Sequence, residues 1–205
     1  MKYLASVYDE FLSIQTESEE IDYKVDRMIN HYYSPTKYSV IEDLFIKYPF
    51  NNDDHLIDFG CGKGRVLIMA AYHGCKYLTG YEIDTDRYNL LLNNIECFQN
   101  TYNNHSEILV FNISADKINI DDSANKFFFF NPFHLKIYMK VINEIGTSLK
   151  RKTRKVYLFL YKPQVDTIKY IDSLDYFKKV EIKECHEEMN SNLHDYFEIV
   201  VYASC

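Results

Sequence analysis

The sequence predicts a three-layer α/β fold with a seven-stranded, mostly parallel sheet, an antiparallel C-terminal hairpin and a helical N-terminal extension. Two observations support this fold class. From residue 55 onward, short apolar runs alternate with amphipathic stretches, which is the pattern of β-α units around a parallel sheet. The last two apolar runs have no helix-length amphipathic segment between them, so they should pair as an antiparallel hairpin.

The elements follow from apolar spacing. Strands are expected near 55–59, 77–82, 107–111, 127–130, 156–161, 177–184 and 196–203, and helices near 64–73, 85–99, 133–149 and 164–173. A loop over 185–195, which holds His186, Glu187, Glu188 and His194, should join the last two strands. Metal-ligand spacing among these four residues is only superficial, and a mobile polar loop is the expectation.

The first fifty residues are predicted to be helical. Apolar residues recur at helical spacing over 4–14 and again over 21–32. Another helix should begin with Ser34 as its N-cap and Pro35 in its first turn. We therefore expect one domain over 1–205, with a helical cap over 1–50 and a sheet-containing core over 51–205.

Composition limits the classes of function. With 205 residues and 47% hydrophobic content, the chain can bury a substantial core, and its apolar runs are far shorter than a membrane span. The N-terminus carries acids where a signal sequence would be apolar, so a cytoplasmic protein is expected. A net charge of -7 argues against non-specific nucleic-acid binding. Five cysteines without a C-x-x-C pair predict neither a disulfide nor structural zinc.

A glycine-rich turn follows the first predicted strand. Residues 55–59 lead directly into Gly60, Cys61, Gly62, Lys63 and Gly64, and a helical pattern begins at Arg65. Such a turn lets backbone N–H groups approach a ligand closely. A dinucleotide-binding fingerprint would need its third glycine at position 65, where the chain has arginine. The next strand ends at Glu82, about twenty residues on, where an acid can accept both ribose hydroxyls.

The G-x-G-x-G spacing, with an acid ending the next strand, resembles the class I S-adenosylmethionine-dependent methyltransferases over about residues 55–160. The resemblance implies S-adenosylmethionine as cofactor, with Asp58 ordering the glycine loop and the methionine ammonium. It places Glu82 at the ribose and Ser114 and Ala115 near the adenine, and it makes Ile83 a further cofactor-binding candidate. The bland alternative is a tight turn followed by a surface acid at a strand end.

The segment Tyr33-Ser34-Pro35-Thr36 resembles a Y-x-P-T segment found before the glycine loop in a group of small, uncharacterised bacterial members of this family. In some small protein-lysine methyltransferases a similar segment folds over the methionine end of the cofactor. The resemblance makes Tyr33, Pro35 and Thr36 candidate cofactor-binding residues. The alternative is the helix cap described above, and one segment can do both jobs.

A candidate reaction site follows the fourth predicted strand at Asn131, Pro132 and Phe133. The segment resembles the Asn-Pro-Pro-aromatic motif of amino-group methyltransferases, although Phe133 and His134 replace its last two residues. The Asn131 side-chain oxygen and the Pro132 carbonyl could orient an amine, with Phe133 as an apolar wall. Alternatively, Asn131 caps a helix. His134 is a conceivable base, although a solvated histidine is the simpler interpretation.

The function predicted from the sequence is methyl transfer to a small-molecule or protein acceptor, with nitrogen slightly favoured. Two other classes stay open. One is a non-catalytic S-adenosylmethionine-binding module or partner subunit, which a closed and wholly apolar cleft beside Asn131 would favour. The other is a nicotinamide-dependent oxidoreductase, which Arg65 disfavours.

Overall fold

The computed structural model describes residues 2–17, 34–189 and 193–205, and for residues 2–6, 116, 185–189 and 193–198 it describes the backbone alone. Tyr33 and the predicted apolar stripe over 21–32 lie outside the described residues. The helices are α1 (Lys2–Leu12), α2 (Tyr38–Lys47), α3 (Arg65–Tyr72), α4 (Thr85–Tyr102), α5 (Leu135–Arg151) and α6 (Val165–Asp172). The strands are β1 (His55–Phe59), β2 (Tyr77–Tyr81), β3 (Glu107–Phe111), β4 (Lys126–Phe129), β5 (Tyr157–Tyr161), β6 (Phe177–Met189) and β7 (Leu193–Ser204).

The seven strands form one sheet in the order β3-β2-β1-β4-β5-β7-β6. The strands β1 to β5 pair in parallel, and β7 runs antiparallel between β5 and β6. This confirms the predicted α/β fold with its antiparallel C-terminal hairpin. The chain moves outward from β1 to β3 and then returns to place β4 on the other side of β1, so the strand order reverses between β1 and β4.

Two apolar layers cover the faces of the sheet. Successive residues of β1 point into different layers. Leu56 packs with α2, α3 and α4, while Ile57 packs on the opposite face with α5 and α6. The aromatic run of β4 divides in the same way, and Phe129 stacks on Phe59 of β1 with ring centroids 4.8 Å apart. Each of these buried side chains contributes about 1.5–3 kcal/mol to folding. Within the described residues no helix is long and apolar enough to cross a membrane.

The predicted start of α2 was wrong. The helix begins at Tyr38, and the residue before it, Lys37, has extended dihedral angles and makes no side-chain cap hydrogen bond. Ser34 is therefore not the N-cap, and Pro35 is not in the first turn. The backbone of 34–37 stays outside the helix because the Thr36 carbonyl accepts a 2.9 Å hydrogen bond from Arg65 Nη1 instead of an intrahelical partner.

The predicted loop over 185–195 was also wrong. The strands β6 and β7 continue pairing from Phe177↔Ser204 to Met189↔Leu193, so His186, Glu187, Glu188 and His194 lie within the hairpin strands. Charged residues interrupt the apolar alternation there, but β6 is the edge of the sheet, where charged side chains are common and protect against aggregation.

Candidate cofactor cleft

A cleft lies at the carboxyl ends of the strands, where the strand order reverses. The space between its walls is about 890 Å³, a figure that includes open solvent at the mouth of the cleft. The strands β1 and β4 are neighbours there, and Phe59 pairs with Phe129. Ligands in doubly wound sheets bind at this position because diverging loops leave a crevice.

The glycine loop closes one side of the cleft. The backbone N–H groups of Gly60 and Cys61 both donate to the Tyr81 carbonyl, at 2.8 and 3.0 Å, which fixes the loop against the end of β2. Gly60, Gly62 and Gly64 all have positive φ angles, which other residues adopt only with strain. Gly64 then precedes the first residue of α3, so the loop turns directly from strand to helix.

Glu82 joins the end of β2 to the glycine loop. Its Oε2 accepts a 2.8 Å hydrogen bond from Gly62 N, and its Oε1 accepts another of 2.8 Å from Asp84 N. Arg87 Nη1 lies 3.9 Å from Oε1. Each carboxylate oxygen has a second lone pair, so the group can still accept hydroxyl donors from a ligand. Burial raises the pKa of Glu82, against the opposing effects of these hydrogen bonds and of Arg87.

Asp58 is the second acid of the cleft. It lies in β1, is 3% exposed and lines the cleft with Glu82. Burial, and then the negative charge of Glu82, raise the pKa of Asp58 well above its usual range. Burial, followed by the negative charges of Asp58 and Glu82, also raises the pKa of the neighbouring Cys61 thiol well above its usual range. A positively charged ligand beside these two buried acids would favour their charged forms.

The third side of the cleft follows β3. Ser114 and Ala115 line it, at the start of a short 3-10 helix over Ala115–Lys117, and Ile83 faces them from the end of β2. Asn112 fixes this side, because its Nδ2 donates to the carbonyls of Glu82 and Ile83 at 2.9 and 3.1 Å. An apolar wall with a few polar atoms suits a flat heterocycle.

Asn131, Pro132 and Phe133 lie between β4 and α5. Pro132 and Phe133 line the cleft, whereas Asn131 is not among its lining residues. The alternative in which Asn131 caps α5 is wrong, since that helix begins at Leu135 and His134 takes the N-cap position. Asn131 has a φ of 40°, and its Oδ1 atom is buried without a hydrogen-bond donor among the described residues. A buried acceptor left unpaired is unfavourable, so a partner is expected there.

The wall beside Asn131 is apolar throughout. Phe133 is buried and rests edge-on against Tyr138, with ring centroids 5.0 Å apart. Phe128, Phe130 and Ile137 complete this part of the cleft. No three His, Cys, Asp or Glu side chains are grouped to hold a metal ion in the part of the chain that the structure describes.

The structure brings most of the predicted site residues to one cleft. Those that line it are Pro35, Thr36, Asp58, Gly60, Cys61, Glu82, Ile83, Ser114, Ala115, Pro132 and Phe133. Gly62, Lys63 and Gly64 belong to the same loop without lining it, and Lys63 Nζ donates instead to the Glu17 carbonyl at 2.8 Å.

Arg65 is the main site residue that sequence reasoning missed. It lines the cleft and is 4% exposed, although the sequence singled it out only as a missing glycine. Arg87 and Ser34 also line the cleft. The available signal was an arginine within the otherwise apolar first turn of a buried helix, because a buried guanidinium requires several acceptors.

No protein-family model and no curated protein matches the chain. Solved structures share its fold. Magnesium protoporphyrin IX methyltransferase from Synechocystis PCC 6803, with bound SAM, is 14% identical with a TM-score of 0.56, over 80% of this chain and 76% of that one. Precorrin-6y C5,15-methyltransferase from Geobacter metallireducens is 13% identical with a TM-score of 0.56, over 87% and 90%.

A SAM-dependent methyltransferase from Methanosarcina mazei is 14% identical with a TM-score of 0.56, over 78% of this chain and 96% of that one. The shared fold spans most of each chain in all three comparisons. At these identities the similarity establishes the seven-stranded Rossmann-like fold.

Proposed function

We propose that this protein is an S-adenosylmethionine-dependent methyltransferase. The observation that carries the proposal is the contact between Glu82 and Gly62 N, which joins a strand-end acid to a glycine loop inside the cleft. In this arrangement the acid can accept the ribose hydroxyls, and the backbone N–H groups of the loop can approach the carboxylate of the methionine end. The fold shared with solved methyltransferases supports the same conclusion.

The chemistry of the cleft fits a cationic cofactor. S-adenosylmethionine supplies, when bound, a methyl group on a positively charged sulfur, and it carries an ammonium group. Asp58 and Glu82 place two buried carboxyl groups beside the glycine loop, where a cation would favour their charged forms. The apolar surfaces of Ile83 and Ala115 suit the adenine ring.

We further propose that the acceptor atom is nitrogen, in a protein side chain or a small-molecule amine. Asn131 Oδ1 is a buried acceptor without a donor among the described residues, and an N–H of the acceptor would supply one. Holding that N–H would aim the nitrogen lone pair along the line of displacement at the methyl carbon. Phe133 and Pro132 would exclude water from the reacting atoms.

A non-catalytic S-adenosylmethionine-binding module is the second candidate. The observation in its favour is the apolar wall of Phe128, Phe130 and Ile137 beside Asn131. Part of the cleft is open to solvent, however, so the closed site that this function implies is absent from the described residues.

A thermal-shift comparison of S-adenosylmethionine, S-adenosylhomocysteine and NAD tests the proposed cofactor. A ligand that binds only the native state raises the melting temperature, by an amount that grows with its concentration. Both S-adenosyl compounds should raise it, and NAD should not. A rise with NAD alone, or with none of the three, would overturn the proposal.

A further inference from the structure

The guanidinium of Arg65 connects α3 to two other parts of the chain, residues 16–17 and residues 36–38. Its Nε donates to Thr16 Oγ1 at 2.7 Å, its Nη1 to the Thr36 carbonyl at 2.9 Å, and its Nη2 to Glu17 Oε1 at 2.6 Å. The face of the group lies over the Tyr38 ring, 4.2 Å from its centroid. A buried cation is stable only when such partners surround it, so these segments and α3 are fixed together.

A second buried group, Asp9, strengthens the same connection. Its carboxylate accepts hydrogen bonds from Thr16 N at 2.5 Å, from Thr16 Oγ1 at 2.6 Å and from the Tyr38 hydroxyl. Arg65 Nη2 lies 3.8 Å from Asp9 Oδ1. The Thr16 hydroxyl therefore donates to the acid and accepts from the arginine. We call Asp9, Thr16, Tyr38 and Arg65 the arginine cluster.

The glycine loop is tied to the same segment from its other side. Asn94 of α4 accepts from Gln15 N at 2.9 Å and donates to the Gln15 carbonyl at 3.1 Å. Its Nδ2 also donates to the Lys63 carbonyl at 2.9 Å. The loop, α4 and residues 15–17 thus form one unit with the arginine cluster.

Arg65 lies at the Asp58 end of the cleft and away from the end formed by Ser114 and Ala115. It begins the helix that follows β1, where Asp58 lies, and it holds residues 34–36 along the cleft. Ser114 and Ala115 follow β3, which is two strands away in the sheet, or about 10 Å. The arginine cluster therefore supports the end of the cleft that would receive the methionine part of the cofactor.

We propose that Arg65 is a positioning residue, which holds residues 34–36 against the amino-acid end of the cofactor and so sets the affinity for that end. This inference rests on the proposed function. Three guanidinium N–H groups donate to residues 16, 17 and 36, so Arg65 acts on the cofactor through the segments that these hydrogen bonds fix. Thr16, which does not line the cleft, acts in the same way through Arg65.

Calorimetry with two ligands tests this role. S-adenosylhomocysteine carries the amino-acid end, whereas 5′-methylthioadenosine has the same adenine, ribose and sulfur without it. Arg65→Met should weaken S-adenosylhomocysteine binding about tenfold or more, because it removes all three Arg65 hydrogen bonds. Thr16→Val should weaken it about threefold, because it removes one of those three together with the hydrogen bond from Thr16 Oγ1 to Asp9. The affinity of both variants for 5′-methylthioadenosine should stay within about twofold of the wild-type value.

Arg154→Met provides the control. Arg154 donates to the Ala124 carbonyl at 2.7 Å and to Ser148 Oγ at 2.9 Å, near the amino ends of β4 and β5, far from the cleft. This variant should lower the melting temperature without changing the ratio of the two affinities. The ratio therefore separates a positioning role from a general loss of stability.

Equal weakening of both ligands in Arg65→Met, or wild-type affinity for S-adenosylhomocysteine in Thr16→Val, would overturn the inference. If Arg65→Met does not fold, Thr16→Val decides alone, because it removes one hydroxyl and keeps the buried charge pair. Absence of S-adenosylhomocysteine binding by the wild-type protein would refute the proposed function itself, which is a distinct outcome.

Discussion

A side-chain carbon at Gly60 would lie 2.8 Å from Cβ of Pro132, so the backbone of the glycine loop after β1 lies directly against the proline of the turn after β4. Real Cβ atoms essentially never approach another atom so closely, so a side chain at position 60 would require one of the two turns to shift. The two turns that border the cleft therefore fit each other only because position 60 has no side chain. This contact places the candidate acceptor site of Asn131 and Pro132 beside the candidate cofactor loop.

Gly60→Ala should weaken S-adenosylhomocysteine binding and lower stability more than Gly74→Ala does. Both glycines have similar positive φ angles, 73° and 89°, so alanine is strained by about 1–2 kcal/mol at either position. A side-chain carbon at Gly74 meets nothing within 4 Å, so this variant isolates the backbone strain. Denaturant unfolding and calorimetry measure both effects, and equal losses in the two variants would refute the importance of the contact with Pro132.

Asp58→Asn should stabilise the ligand-free protein and weaken its binding of the cofactor. Because burial and the charge of Glu82 raise the pKa of Asp58, the native protein holds a proton that the unfolded chain loses above about pH 3.9. The free energy of unfolding therefore falls as the pH rises from that value toward the raised pKa. Asparagine removes this penalty, so the melting temperature at pH 7 should rise by a few degrees.

The same group predicts a pH dependence of cofactor binding. A bound cation favours the Asp58 carboxylate, so binding below the raised pKa must release a proton. The affinity for S-adenosylhomocysteine should increase with pH up to about pH 7, where an α-amino group is still protonated, and Asp58→Asn should flatten this increase. Calorimetry across this range measures the effect. If the wild-type protein and Asp58→Asn showed the same dependence of affinity on pH, the placing of Asp58 beside the bound cation would be contradicted.

Asn131→Ala should lower methyl transfer by about a hundredfold, once an acceptor is identified, while the affinity for S-adenosylhomocysteine stays within a few-fold. The side chain holds the acceptor and not the cofactor in this account. Asn131→Gly removes the same amide without strain at a φ of 40°, so the two variants should lose turnover equally. Turnover that recovers in the glycine variant would assign the defect to backbone strain and refute the role of the amide.

The sequence predicted those parts of the cleft that depend on local pattern and on strand spacing. An apolar strand, a glycine turn and a helix are consecutive in the chain, and β1 pairs with β2 from His55↔Tyr77 to Phe59↔Tyr81. Glu82 therefore had to follow the strand beside the loop. Its hydrogen bond to Gly62 N was beyond sequence reasoning, which assigned its carboxylate to the ribose alone.

The arginine cluster could not be predicted from local pattern. Arg65 reaches acceptors at Thr16 and Thr36, which are 49 and 29 positions away in the chain. Since these contacts hold residues 34–37 outside a helix, the Ser34-Pro35 cap signal was overridden by tertiary structure. The hairpin of β6 and β7 was predicted, but its extension into residues 185–195 was missed because backbone pairing continues there without an apolar pattern.

Calorimetry of S-adenosylhomocysteine with the wild-type protein and with Glu82→Ala tests the central claim most directly. The account predicts that the wild-type protein binds the ligand at one site per chain. It predicts that the variant binds it more weakly by about 2–4 kcal/mol, because two charge-assisted hydrogen bonds to the ribose are lost. Equal affinity of the two proteins, or no binding by the wild-type protein, would contradict the assignment of this cleft to S-adenosylmethionine.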